Sequence, residues 1–193
     1  MGNYFVLRAR PSPPSVAGYM EIEDSIDLPG FKGWRSGVPA RRTPEGAVVI
    51  AALPRDGYAG APNDFSDMSV PLVSARFKQA LVSAGVDNVT YYPVQLRNSA
   101  TGQDYEFFAF NLIGLLSVAD FAASQIDSAD GSFVGDSEVS ALVIDETRCR
   151  GLKMFRMKEK FSTILVHKDV KDAVESAGID TVTFLNPEDY MAL

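Results

Sequence analysis

The sequence predicts an α+β fold: a mixed, mostly antiparallel sheet with two similar strand–helix–strand units packed on it. Three observations carry that expectation. The first is an internal repeat. Val73 to Tyr92 (VSARFKQALVSAGVDNVTYY) aligns without gaps on Val166 to Leu185 (VHKDVKDAVESAGIDTVTFL), with nine of twenty positions identical at a constant offset of 93. The second is a series of short apolar, β-prone runs punctuated by Gly and Pro outside the repeat. The third is composition. With 193 residues, 46% hydrophobic and 22% charged, the chain has ordinary globular usage. A domain of this size buries roughly 70% of the surface its unfolded chain exposes, so it needs no disulfide or metal to fold.

The elements follow in order. Asn3 to Arg8 reads as a strand, closed by Pro11, Pro13 and Pro14. Gly18 to Leu28 sets Tyr19, Ile22 and Ile26 among four acids, as an exposed strand or hairpin arm does. Residues 29–46, rich in Gly and Pro and holding the single Trp34, form a loop. The continuous apolar run Ala47 to Leu53 reads as a buried strand, and Pro54 to Asp67 as another loop.

The first repeat unit opens on the strand Pro71-Leu72-Val73, with Ser74 placed to cap a helix through its hydroxyl. Phe77, Ala80, Leu81 and Ala84 form an apolar stripe at helical spacing, Gly85 ends the helix, and a strand spans Asn88 to Leu96. Tyr105 to Leu116 is a long β-prone run, Ser124 to Asp136 a polar loop and Ser140 to Ile144 a strand. The second unit repeats the first: Ile164-Leu165-Val166, a cap position at His167, the stripe Val170, Ala173, Val174 and Ala177, then Gly178 and a strand from Thr181. Asn186-Pro187-Glu188-Asp189 starts a helix of one or two turns. We read residues 1–193 as one domain: a strand- and loop-rich part (1–68), the duplicated units (69–97 and 160–186) and an acidic β-rich connector (98–159). Each unit is too small to bury its own stripe, so the two are expected to share one sheet.

Charge is distributed unevenly. Eighteen Lys and Arg stand against 25 Asp and Glu, a net charge of −7. Between Asn98 and Thr147 there is no Lys, Arg or His, but nine acids: Asp104, Glu106, Asp120, Asp127, Asp130, Asp136, Glu138, Asp145 and Glu146. The chain then turns basic, with Arg148, Arg150, Lys153, Arg156, Lys158 and Lys160, which reads as a solvated strand beside an acidic neighbour. Affinity for nucleic acid comes largely from neutralising phosphates, so a chain this acidic is not expected to bind it. An acidic surface favours a basic partner and speeds its approach. The N-terminal residues lack a basic start followed by a long apolar stretch, and no run reaches the roughly 20 apolar residues of a membrane helix. We therefore expect no membrane association and a cytoplasmic location, with which a lone cysteine, Cys149, is compatible.

Catalytic chemistry finds few residues to use. His167 is the only histidine and occupies the cap position matched by Ser74. Cys149 lies between two arginines that could lower its pKa, though such a residue is more often structural. There is no Gly-x-Ser-x-Gly, no zinc spacing, no phosphate loop, and only a faint calcium-loop likeness at Asp127 to Gly131. No cofactor, metal or enzyme activity is expected, although converging carboxylates are not visible in a sequence.

Ordered short motifs add a resemblance. Asn63-Asp64-Phe65, Pro71-Leu72-Val73-Ser74, Phe77-Lys78 with Leu81, Gly85 and Tyr92-Pro93-Val94 come first. An apolar strand ending in Asp120 follows with Ser124, then Phe155-Arg156, Gly178 and Phe184. In this order they resemble the immunity proteins of bacterial polymorphic-toxin systems, in particular the eleventh catalogued immunity family, formerly a domain of unknown function. The sequence departs from that pattern with His167 in place of Ser and with Ala122-Ala123 after Asp120. The resemblance implies a protein that binds and blocks a cognate toxin, and the acidic segment suits a basic one. Asp120, Asp127, Asp130, Asp136 and Glu138 are the candidate partner-binding residues. Two other readings stay open: a non-catalytic scaffold whose duplicated units pair in a homodimer, and a carboxylate-based enzyme.

Overall fold

The computed structural model describes residues 2–10, 20–22, 33–39, 46, 48–54, 61–68, 70–128, 132–133, 135 and 137–190. Among these residues the strands are β1 (Tyr4–Ala9), β2 (Met20–Ile22), β3 (Val48–Pro54), β4 (Phe65–Asp67), β5 (Pro71–Ser74), β6 (Val89–Asn98) and β7 (Asp104–Leu112). They continue with β8 (Leu115–Leu116), β9 (Gln125–Asp127), β10 (Glu138–Ala141), β11 (Met154–Met157), β12 (Ile164–His167) and β13 (Val182–Leu185). Helices α1 (Ala75–Ser83) and α2 (Lys168–Ser176) follow β5 and β12, and single 3-10 turns span Glu146–Cys149 and Pro187–Asp189. A six-stranded sheet has the order β2-β3-β6-β7-β5-β4, a five-stranded sheet β13-β1-β12-β11-β8, and β9 pairs with β10 alone. Only β3/β6 and β8/β11 pair in parallel, so the fold is α+β with mixed, mostly antiparallel sheets.

The repeat folds twice into the same device. In each unit the strands flanking the helix run parallel without touching, and an antiparallel guest strand lies between them. In the first unit β7 separates β5 from β6; in the second β1 separates β12 from β13. The registers agree as well: Val73 pairs with Phe108 and Val166 with Phe5, while Tyr91 pairs with Phe110 and Phe184 with Leu7. The duplication therefore extends to guest strands that share no sequence repeat. Even the contact of a helix lysine with a guest-strand ring is reproduced, Lys78 lying 3.7 Å over Phe108 and Lys171 4.7 Å over Phe5.

The expectation of one shared sheet is overturned, since each unit belongs to a different sheet. What the units share is a core. Phe77, Ala80, Leu81 and Ala84 of the first stripe join Val170 and Val174 of the second, with Val73, Phe110 and Leu112 on one side and Leu7, Ile164 and Val166 on the other. Helix α1 packs on α2 within the chain. Both caps form as read: the Ser74 hydroxyl accepts from the Phe77 amide at 3.2 Å, and His167 Nδ1 accepts from the Asp169 amide at 3.3 Å. Gly85 and Gly178 follow their helices at φ +79° and +66°, a conformation in which a side chain is strained.

Two further cores lie outside this one. Beyond the six-stranded sheet, the buried Trp34 packs with Ile50, Leu72, Tyr92, Val94 and Phe107. Beyond the five-stranded sheet, Val118, Ala119, Val139, Leu142 and Cys149 of the connector cover Tyr4, Val6, Phe155, Met157 and Leu165. The connector thus supplies β7, β8 and β11 to the two large sheets and, through Val118, Ala119, Val139, Leu142 and Cys149 with the ribbon β9–β10, a layer over the five-stranded one.

Polar links hold the layers in place. Arg156 on β11 is fully buried and forms a two-pronged pair with Asp67 on β4 (2.5 and 2.9 Å), joining the two large sheets. Asp64 accepts from Ser74 (2.6 Å), from Arg76 (2.6 and 2.5 Å) and from Thr181 of the other unit (2.7 Å). Burial alone would raise the Asp64 pKa, but these hydrogen bonds outweigh it and hold the carboxyl below its usual range. Lys153 bridges the units, donating to the carbonyl of Ala84 at the end of α1 (2.7 Å) and pairing with Asp169 at the start of α2 (2.9 Å).

Three local readings change. The basic run is not a solvated strand: every residue of β11 is buried, because β11 lies between β8 and β12. Within the run Ala47 to Leu53, the described residues 48–53 are buried on one face only, with Val49 and Leu53 exposed. The loop Pro54 to Asp67 contains β4, and the polar loop Ser124 to Asp136 begins with β9.

Candidate partner-binding surface

The nine acids of the connector divide by what they touch. Asp104 is held by Arg97 and Gln95 across the β6–β7 hairpin, Asp145 by Arg148 and Thr147, and Glu146 by the backbone and side chain of Asn3. Asp120 caps a turn: its carboxylate accepts from the amides of Ala122 (3.0 Å) and Ala123 (3.3 Å), while its own amide reaches Val143. These four serve the fold, while Glu106 on β7 is exposed with no cation in ion-pair range among the described residues.

Asp127 and Glu138 differ. They are directly opposed across the β9–β10 ribbon, both exposed, with no cation in ion-pair range among the described residues. Like charges in directly opposed positions destabilise a ribbon. Asp130 and Asp136 lie in the segment joining these strands but outside the described residues. Of the five acids read as candidates, the structure therefore brings Asp127 and Glu138 together and sets Asp120 at the base of the same ribbon, committed to a turn.

Beside them lies a feature that the sequence reading missed. Phe121 and Phe133 meet edge to face with centroids 5.2 Å apart, and both stay well exposed, at 44% and 37%. Val143, another exposed apolar residue, stands on the returning leg. Phe133 has φ +51°, an uncommon backbone conformation for an aromatic residue, and its amide is held by the Ser128 hydroxyl. An aromatic residue inside a Gly-, Ser- and Asp-rich stretch (DGSFVGDS) was the available signal. The ribbon is anchored from below: Gly135 and Ser137 amides donate to the carbonyls of Lys158 and Glu159, and Ser124 clamps Val143 through both its amide and carbonyl.

The candidate catalytic groups have structural surroundings. Besides capping α2, His167 packs edge to face on Tyr4. Cys149 is buried, and burial with the nearby Glu146 carboxylate pushes its pKa up to about 11, opposite to the effect its flanking arginines suggest. Among the described residues no group of three or more His, Cys, Asp or Glu is placed to hold a metal ion. Nor does any described helix have the length and apolarity to cross a membrane.

A family comparison decides the relationship: the model of an immunity protein family, Imm11, matches residues 8–189, nearly the whole chain. The chain belongs to the Imm11 immunity protein family. No curated protein matches it. The Imm11 match spans both repeat units, the guest strand β7 and the acidic ribbon, so the surface described above lies within the matched residues.

Proposed function

We propose that this Imm11 protein neutralises a cognate bacterial toxin by binding it, in the cytoplasm and without catalysis, and that the acidic ribbon with its aromatic pair is the docking face. The observation that carries this reading is the opposed pair Asp127 and Glu138 beside exposed Phe121 and Phe133. Departures from local folding rules concentrate at functional sites, and uncompensated charge next to exposed aromatic rings is such a departure. The carboxylates would steer a basic toxin and fix its register, while the rings would supply the desolvated anchor that dominates interface energies. Asp130 and Asp136, in the same segment, extend the acidic field in this reading.

The test is growth rescue. The product of the adjacent gene is expressed in a sensitive host, with and without this protein, and the pair is co-purified. Rescue with a stable complex is expected. Reversal of Asp127 and Glu138 to lysine, or truncation of both phenylalanines to alanine, should abolish the complex while leaving the fold intact. Unchanged affinity in both variants would exclude the ribbon as the interface, and a harmless neighbour would remove the toxin reading.

A further inference from the structure

The basic run Arg148 to Lys160 supports the proposed docking face through the carbonyls of Lys158 and Glu159, but its cations do not share one role. Arg156 is consumed by Asp67 inside the protein, and Lys153 by Ala84 and Asp169 between the helices. Three of the remaining four, Arg148, Arg150 and Lys158, line one pocket of about 350 Å³ together with Leu115, Leu116, Ser117 and Thr147. Arg150 and Lys158 have no carboxylate in ion-pair range among the described residues, although the chain carries 25 acids. Arg148 is steered by Asp145 on Nε (2.9 Å) and by the carbonyl of Ala119 (3.2 Å), which fixes its guanidinium at the rim.

The backbone supports the same reading. Arg150 has φ +54°, where glycine would be accommodated without strain, as Gly151 is in the next position. A long cation at such a position is held there at a backbone cost that glycine would avoid. Like charges gathered in a concave site repel one another, and such a cleft concentrates counter-ions that relieve the repulsion. The Arg150 guanidinium and the Lys158 ammonium, with the donors of Arg148 not taken by Asp145 and Ala119, suit an oxyanion that accepts several charge-assisted hydrogen bonds, and the volume admits a phosphoryl group with a small organic substituent.

We propose that this pocket is an oxyanion site that takes a phosphoryl group, separate from the acidic ribbon. Phosphate carries a charge of about −1.5 to −2 near neutral pH, which matches cations left without partners. The site does not depend on the identity of any toxin.

The experiment titrates the full chain with inorganic phosphate at fixed ionic strength, with chloride as the compensating anion, by calorimetry and by amide chemical shifts. Saturable one-site binding is expected, with shifts centred on residues 115–117, 147–150 and 158. Arg150→Ala and Lys158→Ala should each weaken it roughly tenfold. Lys160→Ala, outside the pocket, should leave it unchanged, and circular dichroism verifies that the variants fold. A nucleoside monophosphate that binds more tightly than phosphate would assign the Leu115 and Leu116 floor to the organic part; equal affinity would confine recognition to the phosphoryl group. Absence of saturable phosphate binding, or full affinity in the Arg150→Ala variant, overturns the proposal.

Discussion

The inner face of the fold and the outer ribbon treat carboxylates in opposite ways. Asp64 and Asp67, at the junction of the layers, have their oxygens taken by arginine, serine and threonine donors from other elements. Asp127 and Glu138, on the ribbon, face each other with no donor side chain between them. The first arrangement joins sheets; the second places repulsion where nothing in the fold relieves it. Net charge counts both kinds of acid alike, yet only the second is available to a partner.

The comparison breaks most sharply at Arg156. Arg156→Ala leaves Asp67 beside a cavity without its cation, and the expected loss is about 3–5 kcal/mol in urea unfolding. A loss under 1 kcal/mol would mean that the junction is held by apolar packing alone. Next comes Asp64→Ala, which severs links to Ser74, Arg76 and Thr181 and should cost about 2–3 kcal/mol. Its sign with pH is defined: the Asp64 pKa is lowered in the folded state, so its contribution is complete above the ordinary carboxylate value, about 4. That contribution is lost as the pH falls through the lower folded value, and stability curves of parent and Asp64→Asn should converge in acid.

A smaller effect separates the two caps. Ser74→Ala should cost about 0.5–2 kcal/mol, whereas His167→Ser, which installs the better capping residue, should raise the melting temperature. The smallest effect is on the ribbon. Asp127→Lys replaces repulsion with attraction to Glu138 and should stabilise the fold by about 0.2–1 kcal/mol while weakening partner binding. Stability lost instead of gained would show that the ribbon acids have structural partners after all.

Much of this was legible in the sequence for a physical reason. Both helices carry apolar stripes at 3, 4 and 7 spacing, with caps and closing glycines at matching places, and these signals are local. The guest strands were legible as strands but not their places, because nothing in Tyr4–Ala9 states that it lies between strands 160 residues later. The burial of β11 was hidden for a similar reason: the positive charge on Arg156 signals solvent until Asp67, distant in sequence, is known to meet it. At the candidate surface, acid type and spacing marked the segment, but only pairing register distinguished Asp127 and Glu138 from Asp104 and Asp145.

The placement of β1 has a consequence in time. The strand at residues 4–9 is translated first among the described elements, and its neighbours β12 and β13 almost last. At about 5–20 residues per second, the interval before both neighbours are made is on the order of ten to forty seconds. Until then β1, the middle strand of the second unit, has neither of the strands it joins, because β12 and β13 are not yet made. Ribosome-bound chains should therefore acquire the first unit early and the second only near release, so each molecule completes its fold in one late step.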